Sequence, residues 1–351
     1  MNEELDLSKY QDFDKLLSKK YGDKVYTGFG KAEQFERVNK VPLECISINN
    51  VLGGGLPEGR IIELLGEPSS GKSLICNHIV SSYQKLGKMC LWIDVERALD
   101  PDFVQYCGVD LNRLAKVAPN SAEEAFEIMR TAMKAKDEEG NPILSLVILD
   151  SVAGLFTSDE YEKDMGQAQV GKLARFLSQS LKQITAIAAE NNITVCFINQ
   201  LRATNLMGYG PSKGGTGGNA LPYYASVRIM VKRASYLEEK KEKIGHTMSI
   251  ETIKNKTSQP FKKCEVNAIY PTVRNGKVFA GVDVFSDVVH QAIDADIIKQ
   301  GGAWFTLPNG EKANGLTKLY KHYLDNLDQF DSLYNEVVKL NKPEEDASEE
   351  S

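Results

Sequence analysis

The chain alternates between short apolar runs and longer stretches with helical spacing. The apolar runs predict strands at residues 59–65, 89–94, 144–150, 194–199, 227–233, 247–255 and 264–270. The helical spacing predicts helices such as 71–86 and 170–190 between them. An apolar stripe predicted to face the core of the second helix is made of Leu173, Phe176, Leu177, Leu181 and Ile184. Strands alternating with helices predict an α/β protein with a mostly parallel, twisted sheet.

The same pattern divides the chain into four parts. Residues 1–36 predict a charged helix at 12–21 and a glycine-containing linker; with no strand beside it, this helix is expected to pack elsewhere. Residues 37–285 hold the α/β core. Residues 286–340 predict a small appended α/β lobe, and residues 341–351 have the composition of a disordered acidic tail.

Composition narrows the class of protein. The 351 residues are 42% hydrophobic and 26% charged, as in ordinary globular proteins. No apolar run approaches the roughly 20 residues of a membrane span, and the N-terminal residues lack the pattern of a signal peptide, so we expect a cytoplasmic protein with no membrane partner. The six cysteines and four histidines are scattered, which argues against disulfides, zinc and a His-held catalytic metal.

Charge is distributed unevenly. Five acidic residues at 343–351 account for all but one of the six net negative charges. Residues 232–263 carry nine Lys or Arg against four Glu. Because local patches decide phosphate binding, the net charge does not exclude a nucleic acid partner.

A phosphate-binding loop follows the first strand of the core. The segment fits the pattern G-x-x-x-x-G-K-[ST] and consists of Gly66, Glu67, Pro68, Ser69, Ser70, Gly71, Lys72 and Ser73. In such loops the backbone N–H groups and the following helix bind phosphate oxygens. Lys72 is expected to neutralise the terminal phosphates of a nucleotide, and Ser73 to bind Mg²⁺.

Polar residues end three other predicted strands. Asp150 ends an apolar strand and is expected to bind the Mg²⁺ as well. Asp94 and Glu96 end another, and the spacing leaves open which of them would activate the attacking water. Gln200 ends a third, where its amide could sense the terminal phosphate. The loop 201–219 that follows has six glycines and no acidic residue, as in a ligand-gated switch.

Several blocks of sequence together resemble one family, the bacterial RecA recombinases that exchange DNA strands. The matching blocks are residues 66–73, 96–101, 149–153, 198–202, 216–221, 224–228, 254–256, 260–262 and 302–304. They occur in the family's order over nearly the whole chain. The resemblance implies a RecA-like nucleoside triphosphatase core that uses ATP and Mg²⁺.

The resemblance also implies roles for individual residues. Glu96 would be the base for water attack, and Gln200 would couple ATP to the loop after it. Lys254 and Lys256 would reach the ATP of a neighbouring subunit, with Tyr223 at the same interface and the N-terminal helix docked on the neighbour. Asp100 and Phe103 would hold the adenine, and Tyr270 is a further expected ATP-binding residue.

Two DNA-binding loops are implied, at residues 157–171 and 202–219. Phosphates would meet cations and polar groups, and apolar residues would wedge between bases. The candidate DNA-binding residues are Val170, Arg175, Ser178, Lys182, Arg202, Leu206, Met207, Tyr209, Gly217, Gly218 and Asn219. Contacts of this kind leave base edges free for homologous pairing.

The chain departs from the family pattern in three places. Arg97 stands where the family usually has His, Glu67-Pro68 reverses the usual order, and four acids lie at 159–164 in the first DNA loop. These differences suggest a diverged member of the family, and a phage origin is one of the explanations they allow. The atoms required for phosphate and Mg²⁺ binding are all retained.

Three functions compete at this point. The first is an ATP-dependent recombinase that forms a homo-oligomeric filament on single-stranded DNA and pairs it with double-stranded DNA, with single-strand-binding and loader proteins as further candidate partners. The second is a ring helicase or branch-migration ATPase built on the same core, which would need additional domains that the sequence does not suggest. The third is a filament-forming regulator without useful turnover, against which Glu96 argues. The acidic tail is expected to compete with DNA for the protein's own binding surface.

Overall fold

The computed structural model describes residues 8–21, 38–158, 171–204, 212–239, 241–274 and 277–341. The chain divides into two compact units, Met1–Asn39 and Lys40–Ser351. Four of the expected DNA-binding residues, Val170, Leu206, Met207 and Tyr209, lie outside the described residues. Residues 159–170 of the first expected DNA loop and residues 342–351 of the expected acidic tail also lie outside them.

The first unit contains helix α1, Ser8–Tyr21. It begins four residues before the predicted helix and ends at the predicted residue. Lys19 and Lys20 lie in its last turn, where cations interact favourably with the helix dipole. Two apolar side chains of this helix, Phe13 and Leu16, are 48% and 60% exposed.

The second unit is built on fifteen described strands and nine described helices. The strands are β1 Lys40–Val41, β2 Leu56–Pro57, β3 Ile61–Gly66, β4 Met89–Asp94, β5 Leu114–Val117, β6 Leu144–Asp150, β7 Thr194–Thr204, β8 Ser212–Gly215, β9 Val227–Glu239, β10 Glu242–Asn255, β11 Lys263–Arg274, β12 Lys277–Val282, β13 Lys299–Gly301, β14 Trp304–Thr306 and β15 Lys312–Asn314. The helices, numbered in chain order, are α2 Ile46–Leu52, α3 Lys72–Lys85, α4 Pro101–Tyr106, α5 Ala122–Met133, α6 Lys172–Glu190, α7 Ala220–Tyr224, α8 Val284–Asp294, α9 Leu316–Asp325 and α10 Leu327–Leu340.

One large sheet organises this unit. Its strand order is β12-β11-β10-β9-β3-β7-β6-β4-β5, with β8 paired to β7. The pairs from β9 to β5 are all parallel, whereas β9 to β12 are antiparallel neighbours. The prediction of an α/β fold with a mostly parallel sheet is confirmed, and the structure adds an antiparallel extension at one side.

Helices cover both faces of the sheet, as the strand sequences require. Successive residues of β3 point to opposite faces, so Ile61 joins one apolar cluster and Ile62 the other. The cluster of Ile62 includes residues of α3 and α4. The cluster of Ile61 includes residues of α5 and α6. The predicted stripe of α6 is confirmed, since Leu177, Leu181 and Ile184 are buried and the other two members pack against them.

A third apolar cluster holds the C-terminal elements together. It combines residues of α8, α9 and α10 with Phe305 of the three-stranded sheet β13-β14-β15. Ile46 of α2 belongs to the same cluster. The carboxylate of Asp287 accepts the N–H groups of Ile46 (2.7 Å) and Ser47 (3.2 Å), at the positive end of α2. These contacts attach the C-terminal elements to the rest of the unit; a separate lobe beginning near residue 286 stays a prediction.

Candidate functional site: a phosphate loop and its neighbours

The loop between β3 and α3 has the backbone of an anion-binding turn. Ser69 and Gly71 have φ of 58° and 99°, which turns consecutive N–H groups to one side. A Cβ at Gly66 would lie 2.3 Å from the carbonyl oxygen of Val231. A Cβ at Gly71 would lie 2.3 Å from the Sδ of Met248. Both positions therefore require glycine, and the loop leads directly into the N-terminus of a 14-residue helix.

Lys72 folds back over this loop. Its Nζ donates hydrogen bonds to the carbonyl oxygens of Gly66 (3.1 Å) and Glu67 (2.7 Å). Burial lowers the pKa of the Lys72 amine, and the negative charges of Asp150 and Glu96 oppose that shift. A buried cation held by neutral carbonyls is poorly neutralised, so a phosphate group would be a favourable partner for it.

Ser73 and Asp150 meet at the start of α3. The Ser73 hydroxyl donates to the Asp150 carboxylate over 2.9 Å. Burial raises the pKa of Asp150 to about 6, and Glu96 and Asp94 add to the shift, while Ser73 and Lys72 act against it. Oxygen ligands next to several carboxylates are the surroundings that Mg²⁺ prefers, so this pair fits the expected metal.

Glu96 forms a small cluster with Ser151, which follows β6, and with Gln200, which lies inside β7 because that strand continues past its expected end to Thr204. The hydroxyl of Ser151 donates to Oε1 of Glu96. The side-chain amide of Gln200 lies 3.4 Å from the same oxygen. Because β4, β6 and β7 are parallel neighbours, the carboxyl ends of β4 and β6 lie beside Gln200, where the parallel pairing of β7 ends and its pairing with β8 begins.

The structure separates Asp94 from Glu96, which the sequence left equivalent. Asp94 is buried, and its carboxylate accepts the N–H groups of Ala98 (3.2 Å) and Leu99 (3.3 Å). Lys116 forms an ion pair with it at 3.0 Å. Asp94 thus fixes the turn after β4, whereas Glu96 is exposed beside Gln200.

The two residues expected at the adenine, Asp100 and Phe103, are neighbours at the start of α4, and the expected ATP-binding residue Tyr270 lies in β11. Asp100 caps helix α4 by accepting the N–H of Phe103 at 2.7 Å. The Phe103 ring is half-buried against the apolar cluster under α3. Tyr270 packs against the ring of His246, with centroids 5.8 Å apart.

His246 is a neighbour of the phosphate loop that the sequence did not single out. Its Nε2 lies 3.5 Å from the position that a Cβ on Gly71 would take. The side chain is buried, and neither ring nitrogen has a hydrogen-bond partner among the described residues. Burial lowers its pKa, and the charge of Arg233 acts in the same direction. A single histidine inside a predicted strand does not indicate from the sequence that it lies next to the phosphate loop.

Lys254 and Lys256 lie at the end of β10. The Lys254 amine donates to the carbonyl oxygens of Pro222 (2.7 Å) and Tyr223 (3.1 Å). Lys256 is exposed just beyond the strand, where its N–H donates to Ser226. The Tyr223 side chain is 74% exposed. The structure therefore brings the three expected interface residues to one part of the surface.

Part of the expected DNA-binding surface is described. Arg175, Ser178 and Lys182 are exposed on α6. A cavity of about 400 Å³ between α6 and α7 is lined by Ser178, Asn219 and Tyr223, among others. The cavity therefore lies between the expected DNA-binding helix and the end of the second expected DNA loop.

Two glycines of that loop pack closely against α6. A Cβ at Gly217 would lie 2.5 Å from a methyl carbon of Leu177, and one at Gly218 would lie 3.3 Å from the Cβ of Ala174. Arg202 lies in β7, paired with Gly214 of β8; its side chain is not among those described.

The phosphate loop, the Ser73–Asp150 pair and the polar strand ends define the class of phosphate-loop nucleotide-binding proteins. The RecA N-terminal domain model matches residues 11–274. The chain is 34% identical over 323 residues to Protein RecA of Ruminococcus albus, covering 92% of this chain and 77% of that one. It is 36% identical over 303 residues to Protein RecA of Campylobacter lari, covering 86% and 84%, and 32% identical over 327 residues to that of Leptospira biflexa, covering 93% and 81%.

The chain belongs to the RecA family, and it is a DNA-dependent ATPase of homologous recombination. The sequence-based identification of the family is confirmed, and the helicase or branch-migration alternative is not favoured. None of the helices that the structure describes has the length and apolar character needed to cross a membrane.

Proposed function

We propose that this chain assembles on single-stranded DNA into a helical filament, with ATP and Mg²⁺ between neighbouring subunits. The observation that carries the proposal is the pairing of Glu96 with Gln200 beside Ser73 and Asp150. These four residues provide a carboxylate that can activate water (Glu96), a pair that can bind a metal ion (Ser73 and Asp150) and an amide that can contact the terminal phosphate (Gln200). A protein that only bound the nucleotide, without hydrolysing it, would not need a carboxylate to activate water.

Within one subunit, the loop 66–73 would hold the phosphates. Its N–H groups and the amine of Lys72 would bind their oxygens, and Lys72 would exchange its two carbonyl partners for phosphate. Mg²⁺ held by Ser73 and Asp150 would neutralise charge on the phosphates. Asp100, Phe103 and Tyr270 would hold the adenine, with the half-buried Phe103 ring as one flat surface.

Glu96 would act as the base in hydrolysis. Its exposed carboxylate can accept the proton of a water molecule that attacks the terminal phosphate. The hydrogen bond from Ser151 holds the carboxylate in place, and the amide of Gln200 shares the same oxygen. If the Gln200 side chain turned toward a bound terminal phosphate, it would lose its contact with Glu96. The residues that follow Gln200 would then change position when nucleotide binds.

The neighbouring subunit would complete the site. The Lys254 amine donates hydrogen bonds to the carbonyl oxygens of Pro222 and Tyr223, which do not belong to the phosphate loop of its own chain. Lys254 and the exposed Lys256 could therefore bind the phosphates of ATP held by a neighbouring subunit, close to Tyr223. ATP would then hold the filament together, and hydrolysis would loosen it.

DNA would bind along α6 and the segment after β8. Arg175 and Lys182 are exposed cations, and the backbone of Gly217 and Gly218 can approach a phosphate closely because it carries no side chains. Ser178 and Asn219 line the cavity between them. Contacts to the DNA backbone would leave the bases of the first strand free to pair with double-stranded DNA. We place this reaction in the cytoplasm, with single-strand-binding and loader proteins as accessory partners.

The test is the rate of ATP hydrolysis with and without single-stranded DNA. We expect DNA to stimulate the wild-type rate and a Lys72→Ala variant to lose both hydrolysis and nucleotide-dependent DNA binding. Lys88→Ala is a matched control, because Lys88 pairs with Glu58 away from this loop. A wild-type rate that DNA leaves unchanged would favour a filament-forming regulator over a recombinase.

A further inference from the structure

A carboxylate is buried in the strand that leads to the phosphate loop. Glu63 of β3 is 0% exposed. One of its oxygens accepts the side-chain N–H of Asn199 at 2.8 Å, and the other accepts the Nε–H of Arg228 at 2.5 Å. Burying an ion pair is costly and contributes little to stability on balance, so a pair at this position calls for another explanation.

Asn199 connects Glu63 to two further groups. The Asn199 amide N–H₂ also donates to the carbonyl oxygen of Thr216 (3.1 Å). Its carbonyl oxygen accepts the backbone N–H groups of Gln200 (2.9 Å) and Thr216 (3.1 Å). Asn199 is itself fully buried. Thr216, the residue before Gly217, is therefore fixed to the part of β7 that bears Gln200, through one side chain that Glu63 orients.

Arg228 connects Glu63 to the other end of the same segment. Arg228 lies directly beside Lys254 in the pairing of β9 with β10. The Lys254 amine holds the carbonyl groups of Pro222 and Tyr223. Burial, Lys256 and Arg228 lower the pKa of Lys254, and the charge of Glu63 opposes them. The segment 216–223 is thus held at its first residue through Asn199 and at its last two through Lys254.

We propose that Glu63 is a positioning residue that couples nucleotide binding to DNA binding by tying segment 216–223 to the strand of the phosphate loop. The inference rests on the proposed function, because it takes Gln200 as the phosphate sensor and Gly217, Gly218 and Asn219 as DNA contacts. A movement of Gln200 toward a phosphate displaces the backbone N–H that Asn199 holds. Because Glu63 fixes the orientation of the Asn199 side chain, that displacement passes to Thr216 and segment 216–223 instead of being absorbed by a rotation of Asn199.

The experiment measures this coupling as a ratio of affinities. The dissociation constant of a labelled oligothymidylate is determined with and without a non-hydrolysable ATP analogue and Mg²⁺. The ratio is the coupling factor, and binding of a fluorescent ATP analogue with and without the oligonucleotide must return the same factor. The variants are Glu63→Gln and the neutral double variant Glu63→Gln/Arg228→Gln, which removes both charges and keeps an amide pair. Glu58→Gln is the control, since it breaks a different ion pair of the same unit, Glu58–Lys88.

We expect both Glu63 variants to bind the ATP analogue within about twofold of wild type in the absence of DNA, while the coupling factor falls about fivefold or more. The control should keep the wild-type factor. A folded double variant with the full coupling factor would overturn the inference and leave Glu63 a structural residue. A wild-type chain without coupling would instead contradict the proposed function, and the inference with it.

Discussion

Replacing Asp150 by Asn should stabilise the nucleotide-free protein while weakening its binding of nucleotide with Mg²⁺. Asp150 is a carboxylate that the fold holds at an energetic cost, because burial, Glu96 and Asp94 all disfavour its charge. Asn has nearly the same shape and can still accept the hydrogen bond from Ser73. The substitution removes the negative charge of Asp150. In the nucleotide-free protein that charge is destabilising, whereas a bound Mg²⁺ would need it.

The magnitude follows from the pKa of Asp150, which rises from 3.8 to about 6 on folding. A shift of about 2 pKa units corresponds to about 3 kcal/mol as an upper estimate. The folded chain binds more protons than the unfolded chain between those two values. The free energy of unfolding therefore falls as the pH rises through this window, and the cost is fully present at pH 7.5.

Urea unfolding in EDTA measures the effect. At pH 7.5 Asp150→Asn should be more stable than wild type by up to about 3 kcal/mol, and the difference should shrink at pH 5. Asp102→Asn, at an exposed position in the first turn of α4, should change the free energy of unfolding by less than about 0.5 kcal/mol. With an ATP analogue and Mg²⁺ present, the free energy of unfolding should rise more for wild type than for the variant. A variant that is no more stable at pH 7.5, or a difference independent of pH, would refute the reasoning.

Three further predictions concern single groups. Glu96→Gln should slow hydrolysis about 100-fold or more and keep affinity for a non-hydrolysable analogue; unchanged turnover would exclude Glu96 as the base. Lys254→Ala should raise the protein concentration needed for ATP-dependent assembly, measured by light scattering, and assembly at the wild-type concentration would remove Lys254 from the interface. Gly217→Ala should lower the free energy of unfolding by about 1–3 kcal/mol more than Gly140→Ala, because both have positive φ but only Gly217 faces Leu177; equal losses would contradict the close packing.

The sequence predicted the strands of the core best where an apolar run ends at an aspartate, whereas β7 was predicted to end at Asn199 and continues to Thr204. The bounds Met89–Asp94 and Leu144–Asp150 agree residue for residue. Strand β9 was predicted to end at Arg233 but continues to Glu239, because the far part of its hairpin with β10 has polar side chains and no apolar run. Strand direction was also hidden, since an apolar pattern shows burial and not the direction of the neighbouring strand.

The candidate site was predicted in its motifs but not in its contacts. Asp94 and Glu96 have equivalent positions after a strand, and only the turn at 95–99 shows that Asp94 is used by backbone N–H groups. Glu63 was passed over because a single acid inside an apolar strand does not reveal its partners. Asn199 and Arg228 come from strands about 136 and 165 residues further along the chain, which no local pattern can connect.

The central claim is that ATP joins subunits of this chain into a filament on DNA. Electron microscopy of the full chain with single-stranded DNA, Mg²⁺ and a non-hydrolysable ATP analogue tests it most directly. We expect helical filaments that follow the DNA, and their loss when nucleotide is omitted or Lys72 is replaced by Ala. Closed rings, or filaments of the same length without nucleotide, would contradict it.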